Sequence, residues 1–210
     1  MSIKTAAILG GAFDPVHEDH LALASACLAL KLCDEVWFVP SPDRWDKMLI
    51  ASPEDRFKML QLAVGNNPQF IVSDIEISMN DYRGSYVSMQ HIQEMYPDYH
   101  FRLLVGADSY EGIPRWRDPL HFYGTEFNGH LLLRDFELII FGRHGYREPD
   151  VQKHIEAGYA PLFCVGLEQG FNGAISSTAI RKSFLCSREK PVGLSQVVYE
   201  YIINQGLYEA

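Results

Sequence analysis

The chain has 210 residues, of which 47% are hydrophobic and 21% are charged, and its formal net charge is −9. A chain of this size can bury a core without disulfides or a structural metal, and no apolar run approaches the roughly 20 residues of a membrane span. The acidic balance argues against nucleic acid or an anionic membrane as a partner. With no secretory signal apparent, the protein is expected to be cytoplasmic and to carry free thiols, at Cys27, Cys33, Cys164 and Cys186.

Short apolar runs alternate with segments of helical period along the chain. Strands are predicted at residues 6–9, 35–39, 70–73, 101–105, 138–141 and 162–165, and helices at 17–32, 52–65, 86–96, 177–185 and 194–205. This alternation predicts one α/β domain over residues 1–210, with a doubly wound, mostly parallel sheet covered on both faces. Residues 120–136 break the alternation and are interpreted as an insertion, either a surface loop or a lid. Residues from about 177 onward predict a small helical C-terminal part.

The loop after the first predicted strand reads GGAFDPVHEDH over residues 10–20. Its two glycines let the backbone turn sharply and approach a ligand closely. His17 and His20 are three residues apart, so both imidazoles lie on one face of the first helical turn. The unpaired N–H groups and the dipole of that turn attract phosphate. Alternatively, two histidines at this spacing could bind a metal, and a Gly-Gly pair alone indicates only a turn.

A second polar segment, AISSTAIRK, covers residues 174–182. Its hydroxyls lie at a predicted helix N-terminus and Arg181 follows one turn later, an arrangement that can bind phosphate. By itself the segment could also be an ordinary N-cap followed by a solvated arginine. Ligands bind parallel sheets at the carboxyl ends of the strands, so a compact fold could bring both segments to one edge.

Together the two segments resemble the G-x-F-D-P-x-H-x-x-H and I-S-S-T-x-x-R motifs of the nucleotidyltransferase superfamily. Further stretches are similar to bacterial nicotinate mononucleotide adenylyltransferases: RGSY at 83–86, GADS at 106–109, PRW at 114–116, FGRHGY at 141–146 and GLY at 206–208. The resemblance covers nearly the whole chain except residues 120–136. It implies a Rossmann-like nucleotidyltransferase fold and adenylyl transfer from ATP to nicotinate mononucleotide, which releases pyrophosphate and completes the deamido dinucleotide in NAD biosynthesis.

The resemblance also implies which residues act, in a direct displacement without a covalent intermediate. The implied catalytic residues are His17, His20, Lys47 and Arg181. The implied ATP-binding residues are Gly10, Gly11, Ala12, Phe13, His17, His20, Gly106, Asp108, Ser176, Ser177, Thr178 and Arg181. The implied mononucleotide-binding residues are Lys47, Ser85, Tyr86, Val87, Asp108, Trp116 and Arg143.

The implied partners are ATP and a pyridine mononucleotide, with no nucleic acid and no membrane, and a homo-oligomer is left open. No protein ligand for a metal is implied, because Mg²⁺ would be held mainly by phosphates and water. Trp116 is expected to stack on the pyridine ring, although core packing is the alternative. Asp14 is expected to brace the first loop through backbone N–H groups rather than to touch a ligand.

Several positions depart from the family pattern. Asp19 stands where the family has Gly, and its charge is expected to weaken ATP binding unless the side chain turns to solvent or binds the metal. Asp46 replaces a His just before Lys47, Val87 replaces a Thr, and Met89 replaces an Asp. These departures leave two other functions open: transfer to another acceptor, such as nicotinamide mononucleotide or phosphopantetheine, and a non-catalytic nucleotide-binding protein.

Overall fold

The computed structural model describes residues 3–43, 48–79, 82–117, 127–143, 145–166, 173–187 and 189–209. Lys47, its neighbour Asp46, and residues 120–126 of the predicted insertion lie outside the described residues. In the ranges given above, no helix is both long and apolar enough to cross a membrane.

The described residues form one parallel sheet of six strands. These are β1 (Lys4–Gly11), β2 (Glu35–Pro40), β3 (Phe70–Val72), β4 (Tyr99–Gly106), β5 (Glu137–Phe141) and β6 (Leu162–Val165). Their order is β3-β2-β1-β4-β5-β6, and every neighbouring pair is parallel. The doubly wound α/β fold is therefore confirmed. The chain reverses its direction of travel across the sheet between β1 and β4, which opens a crevice at their carboxyl ends.

Helices connect the strands and cover both faces of the sheet. They are α1 (Glu18–Ala29), α2 (Pro53–Val64), α3 (Ser85–Met95), α4 (Ala107–Tyr110), a 3₁₀ helix (Ile113–Arg115), α5 (Gly129–Asp135), α6 (Val151–Glu156), α7 (Ser177–Cys186) and α8 (Gln196–Gln205). The start of α2 follows its sequence signals, since the Ser52 hydroxyl accepts the Asp55 N–H at 3.1 Å and Pro53 begins the helix.

Two hydrophobic clusters fill the space between the sheet and its helices. Successive side chains of a strand point to opposite faces, so β1 sends Ala7 and Leu9 to one cluster and Ala6 and Ile8 to the other. The first cluster includes buried side chains from α1, α2, α7 and α8, and the second includes side chains from α3 and α5. The sheet is thus buried on both faces, and its strand ends have fixed positions.

The interpretation of residues 120–136 as a surface insertion is wrong for the part that the structure describes. Residues 129–135 form α5, and its Leu132 and Leu133 are buried in the second cluster. The helix packs against α3 and the 3₁₀ helix. Because Leu132 and Leu133 are buried in the second cluster, α5 belongs to the core.

Candidate active site

A cavity of about 870 Å³ opens at the carboxyl ends of β1 and β4. The first predicted segment forms one of its walls, through Gly10, Gly11, Ala12, His17 and His20. The second predicted segment forms the neighbouring wall, through Ser176, Ser177, Thr178 and Arg181. The structure therefore brings together two segments that are about 160 residues apart, at the place where the strand order predicts a ligand.

The same cavity contains most of the residues predicted to bind the mononucleotide. Its lining includes Ser85, Asp108, Trp116 and Arg143, and also Gly106 from the predicted ATP site. Trp116 is partly buried and packs against the second hydrophobic cluster while it also lines the cavity. Core packing therefore accounts for part of its environment, and stacking on the pyridine ring stays a prediction.

Three predicted ligand contacts are not among the cavity-lining residues in the described part of the chain. Tyr86 is buried in the second hydrophobic cluster and its hydroxyl donates to Asp135 Oδ2 at 2.7 Å, because this side of α3 faces α5. Val87, on the next position of α3, does not line the cavity either. Phe13 is 2% exposed and packs its ring edge on His20, with ring centroids 4.9 Å apart. Phe13 therefore positions His20 by packing.

The two imidazoles form a stacked pair at the start of α1, with ring centroids 3.7 Å apart. The backbone N–H of His17 donates to Nδ1 of His20 at 3.2 Å. Because Nδ1 of His20 is the acceptor, the proton of the neutral ring is on Nε2. His20 therefore offers a single N–H donor whose tautomer is set by the backbone.

Burial holds both imidazoles in the neutral form. The pKa of His17 is lowered to about 4, mainly by desolvation and further by the positive charge of Arg143. The pKa of His20 is also well below its ordinary value, through burial first and then through His17 and Arg143. An anionic phosphate in the cavity would favour the protonated form and raise both pKa values.

The neutral state of His17 has a consequence for stability at acid pH. In the unfolded chain His17 takes up its proton near pH 6.5, whereas in the folded protein it does so only near pH 4. Between these values the unfolded state binds more protons, so the free energy of unfolding falls as the pH is lowered through this window. A pKa difference of this size corresponds to a loss of about 3 kcal/mol in the free energy of unfolding.

We expect urea unfolding at pH 7, 6, 5 and 4 to show this loss in the wild-type protein. The His17→Gln variant should lose correspondingly less stability over the same range, because its side chain does not titrate. Parallel pH profiles for the two proteins would show that His17 is not held neutral by the fold.

Direct hydrogen bonds join the two phosphate-facing segments. The Ser177 hydroxyl donates to the carbonyl oxygen of Pro15 at 2.9 Å. Arg181 Nη1 donates to the carbonyl oxygen of Asp14 at 2.6 Å, and Nη2 donates to Thr178 Oγ1 at 3.4 Å. The start of α7 is thus fixed relative to the loop after β1, which gives the cavity a preformed polar wall.

Asp14 braces the first loop, and this confirms the interpretation made from the sequence. Its Oδ2 accepts the N–H of Ile50 at 3.0 Å, and its Oδ1 accepts the N–H of Ala51 at 3.1 Å. Oδ1 also accepts the hydroxyl of Tyr208 at 2.7 Å. Burial, together with the charge of Asp14, raises the pKa of Tyr208, so this hydroxyl stays a donor. The C-terminal segment therefore supports the loop that carries the histidines.

One of the two sequence-based interpretations of Asp19 is wrong. The side chain does not turn to solvent, because the residue is 8% exposed. Asp19 lines the cavity, and its Oδ2 accepts the backbone N–H of Ile175 at 2.7 Å. The sequence offered no sign of this partner, which lies in the second polar segment.

Asp108 and Arg143, which both line the cavity, form an ion pair. Asp108 follows β4 directly, and a Cβ on Gly106 would come within 2.5 Å of its carboxylate. Glycine at this position therefore lets the carboxylate lie against the end of the strand. Arg143 follows β5, so the pair links two neighbouring strand ends.

Several residues that the sequence analysis did not select also contribute to the site. The cavity lining includes Ser41, Glu76, Tyr82, Arg115 and Arg117. Arg56 is fully buried below the site, and its Nη1 donates to the carbonyl oxygens of Ala12 and Ser41 at 2.8 and 2.6 Å. Ser41 could have been found from its place directly after β2, whereas no sequence signal marks Arg56.

No group of three or more histidine, cysteine, aspartate or glutamate side chains among the described residues could hold a metal ion. Three acidic side chains from the described part of the chain line the cavity, namely Asp19, Glu76 and Asp108. Asp19 accepts a backbone N–H, and Asp108 pairs with Arg143. The donor set on this wall therefore suits a cation that is carried by phosphate oxygens better than one held by a protein cage.

Comparison with known proteins agrees with this geometry. The chain matches the cytidylyltransferase-like family over residues 8–183. A Frankia casuarinae protein named "Probable nicotinate-nucleotide adenylyltransferase" is 38% identical over 205 residues, covering 96% of this chain and 98% of that protein. A Corynebacterium jeikeium protein of the same name is 30% identical over 208 residues, covering 95% and 98%.

Solved structures show the same architecture. The chain is similar to Plasmodium falciparum nicotinic acid mononucleotide adenylyltransferase complexed with NaAD, with a TM-score of 0.77 and 22% sequence identity. The similarity covers 98% of this chain and 97% of the other chain. At this level of identity the comparison supports the fold.

Proposed function

The chain belongs to the nicotinate-nucleotide adenylyltransferases of the cytidylyltransferase-like family, and from this premise we propose how its cavity works. The protein is a nucleotidyltransferase that transfers the adenylyl group of ATP to nicotinate mononucleotide. The reaction gives the deamido dinucleotide and pyrophosphate, in NAD biosynthesis. Which side chain acts on which group is our proposal.

The chemistry is an in-line displacement at phosphorus. An oxygen of the mononucleotide 5′-phosphate forms a bond to the α-phosphorus of ATP, and the bond from that phosphorus to the bridging oxygen of the β-phosphate breaks. Pyrophosphate leaves with the electron pair. Because the attacking phosphate is already an anion, no side chain has to remove a proton, and catalysis consists of positioning and charge stabilisation.

The β1 side of the cavity acts on the α-phosphate. The Nε2–H of His20 donates to a non-bridging oxygen of this group, and its strength as a donor increases as negative charge accumulates during transfer. His17 supports the same phosphate from the ring stacked beside it. Lys47 is proposed to hold the incoming phosphate, on the basis of its family motif.

The α7 side of the cavity holds the pyrophosphate that leaves. The first-turn N–H groups of α7 and the hydroxyls of Ser176 and Thr178 provide neutral donors. The Ser177 hydroxyl donates to the Pro15 carbonyl oxygen and so fixes this wall to the loop after β1. Arg181 provides a planar cation that can bind two oxygens at once. These groups act on the β- and γ-phosphates, so they bind ATP more than they bind the mononucleotide.

The opposite end of the cavity holds the mononucleotide. Trp116 offers an aromatic face for the pyridine ring, and Asp108 offers a carboxylate to ribose hydroxyls. Both residues line the cavity, and Asp108 is oriented by Arg143. Ser85 lies at the start of α3 on the same wall.

A divalent cation accompanies ATP in this chemistry, and we propose that it is Mg²⁺. The ion would neutralise part of the phosphate charge, and it would be held mainly by phosphate oxygens and water. The net charge of −9 supports small-molecule partners rather than nucleic acid or a membrane. The free cysteines of the fold support a reducing location such as the cytoplasm.

One observation carries the proposal: the histidine pair and the Ser-Ser-Thr…Arg segment meet at one cavity, and the segment is hydrogen bonded to the loop that leads to the histidines. An acceptor panel tests it. The full chain is incubated with MgATP and, separately, nicotinate mononucleotide, nicotinamide mononucleotide or phosphopantetheine, and both pyrophosphate release and the mass of the product are measured.

We expect pyrophosphate release with a pyridine mononucleotide and none with phosphopantetheine. Release with phosphopantetheine alone would assign the protein to a different acceptor. ATP binding without pyrophosphate release from any acceptor would instead support the non-catalytic alternative that the departures at Asp19 and Asp46 raise.

A further inference from the structure

Asp19 connects the two polar segments of the site through one partly buried hydrogen bond. The residue lies in the first turn of α1, and its Oδ2 accepts the backbone N–H of Ile175 at 2.7 Å across 156 positions of sequence. It is 8% exposed. Burying a carboxylate is costly unless it is hydrogen bonded. The Ile175 N–H and the positive end of α1 provide that compensation.

The partner of Asp19 lies at the entry to α7. Ile175 comes directly before Ser176, which is the N-cap of α7. The position of the Ile175 amide therefore sets where the chain enters α7 and how the first-turn N–H groups are aimed. Those groups, together with Arg181, form the wall that we assign to the β- and γ-phosphates.

A second contact, with Gly193, restricts Ile175 through its side chain. The backbone N–H of Glu18 donates to the carbonyl oxygen of Gly193 at 2.9 Å. Gly193 has a φ of +82°, and a Cβ there would come within 2.4 Å of Cδ1 of Ile175. The side chain of Ile175 is thus packed against Gly193 while its amide is held by Asp19.

We propose that Asp19 is a positioning residue for ATP. It holds the entry to α7 through Ile175, so that the wall of donors is preformed for the β- and γ-phosphates of the nucleotide. The naming of ATP as the ligand rests on the proposed function. Asp19 also lines the cavity, but its effect on ATP binding is favourable in this proposal because its Oδ2 accepts a protein N–H.

The test compares three Asp19 variants with a matched control. Asp19→Ala removes the acceptor, Asp19→Asn keeps an acceptor oxygen without the charge, and Asp19→Glu keeps the charge but lengthens the side chain. Glu18→Ala is the control, since Glu18 is an exposed acid on the same helical turn. MgATP is titrated into each full-length protein without an acceptor, and the KM for each substrate and the melting temperature are measured in parallel.

We expect Asp19→Ala to weaken ATP binding by about tenfold, as is typical for loss of a hydrogen bond to a charged group. The KM for nicotinate mononucleotide should stay within about twofold of the wild-type value, because the residues assigned to the mononucleotide lie outside α7. Asp19→Asn should keep ATP affinity within about threefold of wild type, and Glu18→Ala should be unchanged. Asp19→Glu should weaken ATP binding although its charge is retained.

Two results would overturn the proposal. Tighter ATP binding in both Asp19→Ala and Asp19→Asn would show that the charge repels the nucleotide. Unchanged ATP affinity with a lower melting temperature would show a purely structural role. If Asp19→Ala does not fold, the comparison of Asp19→Asn with Asp19→Glu decides, since a charge effect improves the first and leaves the second unchanged. Because the titration needs no transfer, a wild-type protein that binds ATP without releasing pyrophosphate contradicts the proposed function alone.

Discussion

Replacing His20 with alanine is expected to lower kcat by about 100- to 1,000-fold, the usual cost of removing one preorganised donor to a developing negative charge. The donor is preorganised because the His17 backbone N–H occupies Nδ1 and leaves the proton on Nε2. The packing of Phe13 on the ring fixes its direction. Steady-state pyrophosphate release with saturating MgATP and nicotinate mononucleotide measures the effect.

Removal of a histidine outside the site provides the control. His130 is an exposed residue of α5, so His130→Ala should keep the wild-type kcat. A thermal melt of His20→Ala separates loss of the donor from loss of the fold, because the variant also removes the acceptor for the His17 N–H. Near-normal turnover of a folded His20→Ala protein would remove His20 from the mechanism.

The second large effect is expected at Arg181. Its guanidinium is positioned by the Asp14 carbonyl oxygen and lies on the wall assigned to the leaving pyrophosphate. Arg181→Ala should weaken ATP binding by roughly 10- to 100-fold, the range for one or two charge-assisted hydrogen bonds. The affinity for nicotinate mononucleotide should change by less than about threefold.

Two further variants sharpen this measurement. Arg181→Lys keeps the charge but loses the planar fork, so it should bind ATP with an intermediate affinity. Lys182→Ala removes a neighbouring positive charge from an exposed position and should leave both affinities unchanged. An equal loss of affinity for ATP and the mononucleotide in Arg181→Ala would show that the two ends of the cavity are assigned the wrong way round.

The strands could be predicted because their apolar runs are short, continuous and rich in β-branched or aromatic residues. Four short helices among the described residues were not predicted, for a physical reason. α4 has four residues, the 3₁₀ helix three, α5 seven and α6 six, too few to show a helical period. A local signal for α6 was available, since Asp150 is its N-cap and accepts the Lys153 N–H at 3.0 Å. α5 starts at Gly129 without a capping side-chain hydrogen bond, so no local signal marked its start.

The site was predictable where the chemistry is local, and less so where it depends on tertiary contacts. The histidine pair and the Ser-Ser-Thr…Arg segment are short motifs, and both reach the cavity. Asp19 was misread because its partner is a backbone amide 156 residues away, which composition and spacing cannot reveal. Tyr86 was misread because only the position of α5 decides that its side of α3 faces the core.

The central claim is that this cavity transfers an adenylyl group from ATP to nicotinate mononucleotide. The most direct test is pyrophosphate release with nicotinate and nicotinamide mononucleotides side by side, at equal concentrations and with the same protein. Arg115, Arg117 and Arg143 line the cavity, so a substrate carboxylate should be preferred to a neutral amide. We predict a kcat/KM at least about tenfold higher for the nicotinate form. Faster turnover of the nicotinamide form, or no pyrophosphate from either acceptor, would contradict the account.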